Sequence, residues 1–129
     1  MIVDHLGFGV ADYTRSKAFY EAALAPLGIT VVMEAPAEED GSAACGFGRE
    51  EKPIFWISAE GKTAPRLHFA FAAASRENVD AFYKAALAAG ARDNGAPGLR
   101  PHYHPNYYGA FVLDPDGHNI EAVCHKPVE

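Results

Sequence analysis

Apolar and small residues alternate in two short stretches of the chain, and both stretches follow a histidine. The first reads His5-Leu6-Gly7-Phe8-Gly9-Val10, and the second reads His68-Phe69-Ala70-Phe71-Ala72. Alternation with a period of two is typical of a strand with one buried face. The bulky apolar residues then share one face of each strand, whereas the histidine shares the other face with glycine or alanine. We expect these small residues to leave open space on the histidine face.

A nearly identical helical segment follows each of these strands. Its sequences, which begin fourteen residues after the two histidines and are 63 residues apart, are Phe19-Tyr20-Glu21-Ala22-Ala23-Leu24-Ala25 and Phe82-Tyr83-Lys84-Ala85-Ala86-Leu87-Ala88. Asp12 or Thr14 is predicted to cap the first helix, and Gly28 follows its end. Ser75 is predicted to flank the start of the second helix, which ends before Gly90. The chain therefore contains two copies of one unit.

The rest of the first unit is predicted to consist of three strands. These are Ile29–Glu34, Ser42–Gly48 and Ile54–Ser58, with an acidic loop at Pro36–Gly41 between the first two. Each unit then has the order β-α-β-β-β. We expect an α+β fold in a single domain, with module one at about residues 1–60 and module two at about 66–129.

The second unit departs from the first between its helix and its last two strands. Residues 92–106 contain two glycines and three prolines, which predicts a loop with little regular structure. Strands are predicted at about 107–113 and 119–124, joined by a hairpin turn at Asp114–Gly117. A loop of this length in a compact domain is usually functional, and its tail is rich in aromatic residues.

The overall composition narrows the functional class. The formal net charge is −6, with no cluster of Lys and Arg, which argues against a nucleic-acid partner. Two cysteines, Cys45 and Cys124, are too few for a disulfide framework and suit a reducing compartment. We expect no signal peptide, because Asp4 and His5 fall where an apolar run would begin, and the sequence has no apolar run of membrane-spanning length. We expect a cytoplasmic protein that acts on a small molecule, with no membrane partner.

The last predicted strand carries a carboxylate in apolar surroundings. Glu121 lies between Ile120 and Ala122, and parity places it on the face that the small residues leave open. A buried carboxylate needs a partner, because burying an unpaired charge is costly. His5, His68 and Glu121 together are the parts of a two-histidine, one-carboxylate metal site with open positions. The alternative is that each histidine is a hydrogen-bonded structural residue.

Paired β-α-β-β-β units with these three residues resemble the vicinal oxygen chelate superfamily, which includes glyoxalases, bleomycin resistance proteins and extradiol dioxygenases. The most specific piece is the run Asp114-Pro115-Asp116-Gly117-His118-Asn119-Ile120-Glu121, which resembles the family's Asp-Pro-Asp-Gly-Asn-x-Ile-Glu signature. The resemblance implies a curled eight-stranded mixed sheet around a divalent metal (Fe, Mn, Zn or Ni). It implies His5, His68 and Glu121 as ligands, and a homodimer, with the site either within one chain or shared between two.

One departure from the family's pattern narrows the implied activity. Glyoxalases have a fourth ligand, a carboxylate, in the position that Trp56 occupies when the two copies are aligned. The resemblance therefore disfavours lactoylglutathione lyase proper. It implies a metal-dependent enzyme that chelates vicinal oxygens of its substrate, as a lyase, an isomerase or a ring-cleaving dioxygenase. The alternative is an antibiotic- or metabolite-binding protein of the resistance type, without catalysis.

The remaining candidate residues lie in the aromatic tail of the predicted loop and at Trp56. Histidine has an intrinsic pKa suited to proton transfer near neutral pH. The candidates for catalysis are His102, His104 and Tyr107, and those for substrate binding are Trp56, Arg100, Tyr103 and Tyr108. The alternative is that the loop histidines and tyrosines only pack the loop, and that Arg100 pairs with an acidic side chain.

Overall fold

Two copies of the same β-α-β-β-β arrangement make up the computed structural model, which describes residues 4–35, 43–61, 63 and 65–128. The first copy contains β1 (Leu6–Gly9), α1 (Tyr13–Leu24) with a short 3-10 turn (Ala25–Leu27), β2 (Thr30–Ala35), β3 (Ala44–Gly48) and β4 (Phe55–Ser58). The second contains β5 (His68–Ala72), α2 (Arg76–Ala88), β6 (Arg92–Leu99), β7 (Tyr108–Leu113) and β8 (Asn119–Cys124). The predicted α+β fold of paired modules is confirmed. The acidic loop predicted at Pro36–Gly41 lies outside the described residues.

The eight strands form two four-stranded mixed sheets. Their strand orders are β1-β4-β3-β2 and β5-β8-β7-β6. In each sheet the first strand pairs in parallel with the last strand of its unit, and the other pairs are antiparallel. β1 and β5 are therefore edge strands, each with one side free of strand pairing among the described residues.

The prediction of an irregular loop over residues 92–106 is wrong for its first half. Residues Arg92–Leu99 form β6, which pairs with β7 through an irregular register with shifts on both sides of Gly95. β6 is the edge strand of its sheet, and an edge strand tolerates proline and glycine because only one of its sides must pair. The second half is a compact turn, which the backbone N–H of Arg100 closes by donating to the carbonyl of Tyr107 at 2.8 Å.

The helix boundaries follow from local capping. The side chain of Asp12 accepts a hydrogen bond from the backbone N–H of Arg15 at 3.1 Å, and the Ser75 hydroxyl accepts one from that of Asn78 at the same distance. Each bond satisfies an N–H group that the helix itself leaves free. Gly28 ends the first helical segment with φ +75, a left-handed conformation that favours glycine.

The aromatic core joins the two halves. Phe55 of β4 lies 5.3 Å from Phe69 and 5.2 Å from Phe71 of β5, and Phe8 of β1 lies 5.5 Å from Phe69, measured between ring centroids. The helices α1 and α2 pack against each other, and the Tyr20 ring of α1 lies 4.9 Å from that of Phe55. Such aromatic pairs add to the free energy of burial. The shared core therefore holds the two modules together.

No helix in the described part of the chain is both long enough and apolar enough to cross a membrane.

Candidate metal and substrate site

Strand β8 places a buried carboxylate beside the histidine strand β5. The two strands pair in parallel, with His68 opposite Asn119 and Ala70 opposite Glu121. Glu121 is only 1% exposed. Its Oε2 accepts a hydrogen bond from the Tyr107 hydroxyl, and its Oε1 lies 3.4 Å from Nε2 of His68. The predicted pair of His68 and Glu121 is thus in contact within one chain.

Gly109 of β7 makes the contact between Tyr107 and Glu121 possible. A Cβ atom at Gly109 would lie 3.2 Å from Oε2 of Glu121 and 3.2 Å from Cε1 of Tyr107. Few real Cβ contacts are that close, so a side chain here would push the carboxylate or the phenol ring aside. The sheet therefore keeps a glycine where the carboxylate and its hydrogen-bond donor meet.

The His68 ring turns its Nδ1 to a backbone carbonyl and its Nε2 to Glu121. Nδ1 lies 3.1 Å from the backbone carbonyl of Asn119, which can only accept, so Nδ1 carries the proton. In the neutral ring, Nε2 then points a lone pair at the Glu121 oxygen. Two acceptors at this distance repel each other unless a proton or a cation lies between them.

The separation of these two atoms fits a shared metal ion. Ligands about 2.1 Å from one metal, at angles of about 90–110°, lie about 3.0–3.4 Å apart. The His68–Glu121 separation of 3.4 Å falls at the upper end of that range. The backbone carbonyl on Nδ1 and the Tyr107 hydroxyl on Glu121 are contacts of the kind that orient metal ligands. The residues present therefore suit a divalent metal.

His5 lies apart from this pair. Its ring is exposed, and its Nδ1 is 2.8 Å from Oδ1 of Asp4. It lines a groove of about 250 Å³ between the two sheets, together with Leu6, Arg49 and the β5 residues 69–72. Among the described residues no three His, Cys, Asp or Glu side chains cluster closely enough to hold a metal. One chain therefore brings together two of the three predicted ligands.

Trp56 occupies in the first half the position that Glu121 occupies in the second. Trp56 pairs with Gly7 of β1, as Glu121 pairs with Ala70 of β5, which confirms the alignment made from the sequence. The indole covers Gly46, since a Cβ there would lie 2.9 Å from two of its ring atoms. Trp56 also lines an open depression of about 570 Å³ that includes His5. An aromatic ring thus stands in the first half where a carboxylate stands in the second.

Phe111 and Arg100 form a wall beside His68. The Phe111 ring stacks on the His68 ring, with centroids 6.4 Å apart and planes at 24°. Cζ of Arg100 lies 5.3 Å from the Phe111 centroid. Both residues line a depression of about 350 Å³ that Asn94, Tyr103 and Asn119 also border. Arg100 makes no ion pair with an acidic side chain in the portion of the chain described.

The candidate loop residues form an aromatic rim above Glu121. The ring of Tyr107 lies 5.1 Å from that of Tyr103 and 5.1 Å from that of His125, and His104 lies 5.7 Å from His125. His102 is exposed and contacts Tyr103 at 4.2 Å. Burial, together with the hydrogen bond to Glu121, raises the pKa of the Tyr107 phenol well above its usual range. Tyr107 therefore stays a proton donor at neutral pH.

Tyr108 points away from this rim, so its prediction as a substrate-binding residue needs correction. Its hydroxyl donates to Oδ1 of Asp80 on α2 at 2.6 Å, and the Arg76 guanidinium lies over its ring at 5.2 Å. Neighbouring residues of a strand face opposite sides of the sheet, and Tyr107 already faces Glu121. We therefore assign Tyr108 to the packing of α2 on β7.

Three residues at or beside the site were not foreseen. Phe111 and Gly109 of β7 alternate with Tyr107, which lies just before the strand. The large–small–large pattern at positions 107, 109 and 111 is a signal of a shared face that the sequence contains. The third of these residues, His118, lies beside the site and has a structural role. It is fully buried, its Nδ1 accepts a hydrogen bond from the backbone N–H of Leu67 at 3.0 Å, and it thereby anchors the start of β5 just before His68.

Comparison with known proteins gives a consistent family match. A family profile described as "Glyoxalase/Bleomycin resistance protein/Dioxygenase superfamily" matches residues 2–122. None of the curated proteins matches the chain. The structure is similar to a glyoxalase/bleomycin resistance protein from Albidiferax ferrireducens T118, with a TM-score of 0.78 and 31% sequence identity, over 98% of this chain and 100% of the other.

More distant structures share the fold. A glyoxylase/bleomycin resistance protein/dioxygenase domain from Frankia sp. EAN1pec has a TM-score of 0.73 at 18% identity, over 98% of both chains. A glyoxalase I mutant from Zea mays has a TM-score of 0.70 at 19% identity, over 94% of this chain and 46% of the other. The glyoxalase-like fold predicted from the sequence is thus confirmed.

Proposed function

Because this chain belongs to the Glyoxalase/Bleomycin resistance protein/Dioxygenase superfamily, we propose that it is a metal-dependent enzyme acting on a small molecule. The substrate would bind the metal through two adjacent oxygens. The observation that carries the proposal is the 3.4 Å contact between Nε2 of His68 and the buried carboxylate of Glu121, with Nδ1 of the same ring turned to a backbone carbonyl. A divalent cation satisfies both groups at once.

The third ligand, in this proposal, is His5 of a second copy of the chain. His5 is exposed just before β1 of the first sheet, whereas His68 and Glu121 lie on strands of the second. The edge strands β1 and β5 both have a side free of strand pairing within the described residues, which is the surface that pairing between copies uses. In a symmetric homodimer each site would combine His5 and Trp56 of one copy with His68 and Glu121 of the other.

The chain's own residues then have separate tasks in the site. His68 and Glu121 bind the metal, and the Asn119 carbonyl and the Tyr107 hydroxyl hold these two ligands in orientation. Trp56 and Phe111 provide flat apolar walls for the substrate. His104 and His102 are the groups that would move a proton to or from substrate oxygens or carbons. The bound metal supplies a Lewis acid that stabilises negative charge on the substrate oxygens.

Metal analysis of untagged protein tests this proposal. We expect about one transition metal per chain in the wild type, and loss of most of it in His68→Ala and in Glu121→Gln. The matched controls are His102→Ala and Glu77→Gln, which remove exposed side chains of the same types. Metal content that stays the same in His68→Ala and Glu121→Gln would contradict the proposal. That result would favour the alternative, a protein that binds an antibiotic or a metabolite without catalysis and in which these side chains are structural.

The identity of the metal then separates the reaction classes. Iron(II) with consumption of oxygen would indicate ring cleavage, whereas nickel, zinc or manganese without oxygen consumption would indicate an isomerase or a lyase. Trp56 offers no metal ligand at the position equivalent to Glu121, so a metal held by the predicted ligands would keep positions for two adjacent substrate oxygens.

A further inference from the structure

The depression beside His68 has a direct structural connection to the proposed metal site. Asn119 borders it, and the backbone carbonyl of the same residue orients the His68 ring. Phe111 forms another part of its wall and stacks on the His68 ring. The depression of about 350 Å³ therefore adjoins His68 through these two residues, and a substrate held at the metal pair would extend toward it.

Arg100 brings a fixed positive charge into this depression. Its Nη1 and Nη2 donate to the backbone carbonyls of Gly98 at 2.9 Å and Ala96 at 2.8 Å, which hold the guanidinium against the Phe111 ring. A guanidinium has five N–H donors, so other donors remain for a ligand. No carboxylate in the described ranges lies within ion-pair distance of it, although the chain has seventeen acidic residues.

We infer that Arg100 is an anion-binding subsite, and that the substrate carries an anionic oxygen group, a carboxylate or a phosphonate, in addition to its two vicinal oxygens. The inference rests on the proposed function of the neighbouring metal pair. A half-buried guanidinium held by backbone carbonyls is prepared to bind such a group at little cost in side-chain entropy. Charge-assisted hydrogen bonds of this kind are about twice as strong as neutral ones.

Three catechol probes test the subsite. They are catechol, 3,4-dihydroxybenzoate and 3,4-dihydroxyphenylphosphonate, which share the vicinal oxygens and differ in the anionic group. Their affinities are measured by calorimetry on the metal-loaded protein in the absence of oxygen. We expect at least one of the two acids to bind at least about tenfold more tightly than catechol. The acid with the higher affinity identifies the group that Arg100 binds.

Variants of Arg100 separate the subsite from the fold and from the metal. In Arg100→Gln the preference for the acid should disappear while catechol binds as in the wild type, which also shows that the site is folded. Arg100→Lys should keep part of the preference for the acid, because lysine keeps the positive charge but lacks the paired N–H donors of the planar guanidinium. Arg76→Gln is the matched control, since this arginine also lies over an aromatic ring but belongs to the α2 side of the sheet.

The outcomes for the subsite and for the proposed function are distinct. Equal affinity of all three probes for the wild type, or a preference that Arg100→Gln leaves intact, would overturn the subsite. Glu121→Gln tests the metal pair separately, because loss of catechol binding in this variant is expected only if the vicinal oxygens bind the metal. Catechol binding that survives Glu121→Gln would contradict the proposed function, whatever the Arg100 variants do.

Discussion

The hydroxyl of Tyr20 donates a hydrogen bond of 2.5 Å to Oδ2 of Asp114, and both residues are buried. Tyr20 lies on α1 of the first half, and Asp114 lies in the turn between β7 and β8 of the second. The other carboxylate oxygen of Asp114 accepts hydrogen bonds from the backbone N–H groups of Asp116 and His118. The turn that leads into the Glu121 strand is therefore held in place by a helix of the other half.

Replacement of this tyrosine should lower the stability of the whole chain. In Tyr20→Phe the buried Asp114 carboxylate loses a donor, and we expect the free energy of unfolding to fall by about 1–3 kcal/mol. The measurement is urea unfolding at neutral pH. Tyr83→Phe is the control, because its hydroxyl bonds Asp93 at the surface and its loss should cost less than about 0.5 kcal/mol. Equal losses in the two variants would contradict this role of Tyr20.

Alkaline pH should destabilise the protein through the same residue. Burial, and then the charge of Asp114, raise the pKa of the Tyr20 phenol well above its usual value. Above a pH of about 10 the unfolded chain loses this proton while the folded chain keeps it, so the free energy of unfolding falls as pH rises. Below a pH of about 10 the protonated Tyr20 makes its full contribution to the free energy of unfolding. Urea unfolding between pH 8 and pH 11 should therefore give a smaller decline for Tyr20→Phe than for the wild type, and parallel declines would refute the assignment.

A methyl group at Gly109 should disturb the metal pair more than the fold. The added Cβ would approach Oε2 of Glu121 and the Tyr107 ring at 3.2 Å, so one of them must move. We expect Gly109→Ala to bind metal at least about tenfold more weakly, as is typical when the contacts that orient a ligand are disturbed. Metal titration followed by competition with a chelator gives the affinity, and circular dichroism checks the fold. Unchanged affinity in a folded variant would show that this contact does not position the carboxylate.

Mixing two defective variants should restore metal binding if the site is shared between copies. In a mixed dimer of His5→Ala and Glu121→Gln, one site carries both substitutions, and the other combines an intact His5 with an intact His68 and Glu121. We therefore expect a co-expressed mixture to bind more metal than either variant alone. The same two substitutions placed in one chain provide the control, because every site of that dimer is defective. No gain in the mixed dimer would indicate sites that do not cross between chains.

Much of the site could be predicted from alternation and repetition alone. Small residues after His5 and His68 indicate an open sheet face, and the parity of β8 places Glu121 on it. These inferences depend only on the period of a strand, which is a local property of the backbone. The register of β5 on β8 places His68 and Glu121 on the same face of their sheet. The register of β1 on β4 places Trp56 at the equivalent position of the other sheet.

Other features depend on contacts that local pattern does not encode. The prolines and glycines of Arg92–Leu99 predict a loop when read locally, but the position of β6 at a sheet edge allows them in a strand. Tyr107 and Tyr108 are alike in sequence, and only the sheet decides that one contacts Glu121 and the other contacts α2. Arg100 had seventeen possible acidic partners, and the fold instead directs it to two backbone carbonyls.

The sequence by itself determined the repeated β-α-β-β-β order, the family, and which face of its strand each of His68 and Glu121 occupies, because these follow from local periodicity and from short motifs. The tertiary structure decided that His5 lies apart from His68 and Glu121, and that Phe111 and Arg100 form the wall beside them. Those relationships are distances between residues far apart in the chain. The aromatic core and the buried bond from Tyr20 to Asp114 hold the two halves together, and the pairing of β7 with β8 places Phe111 opposite Glu121.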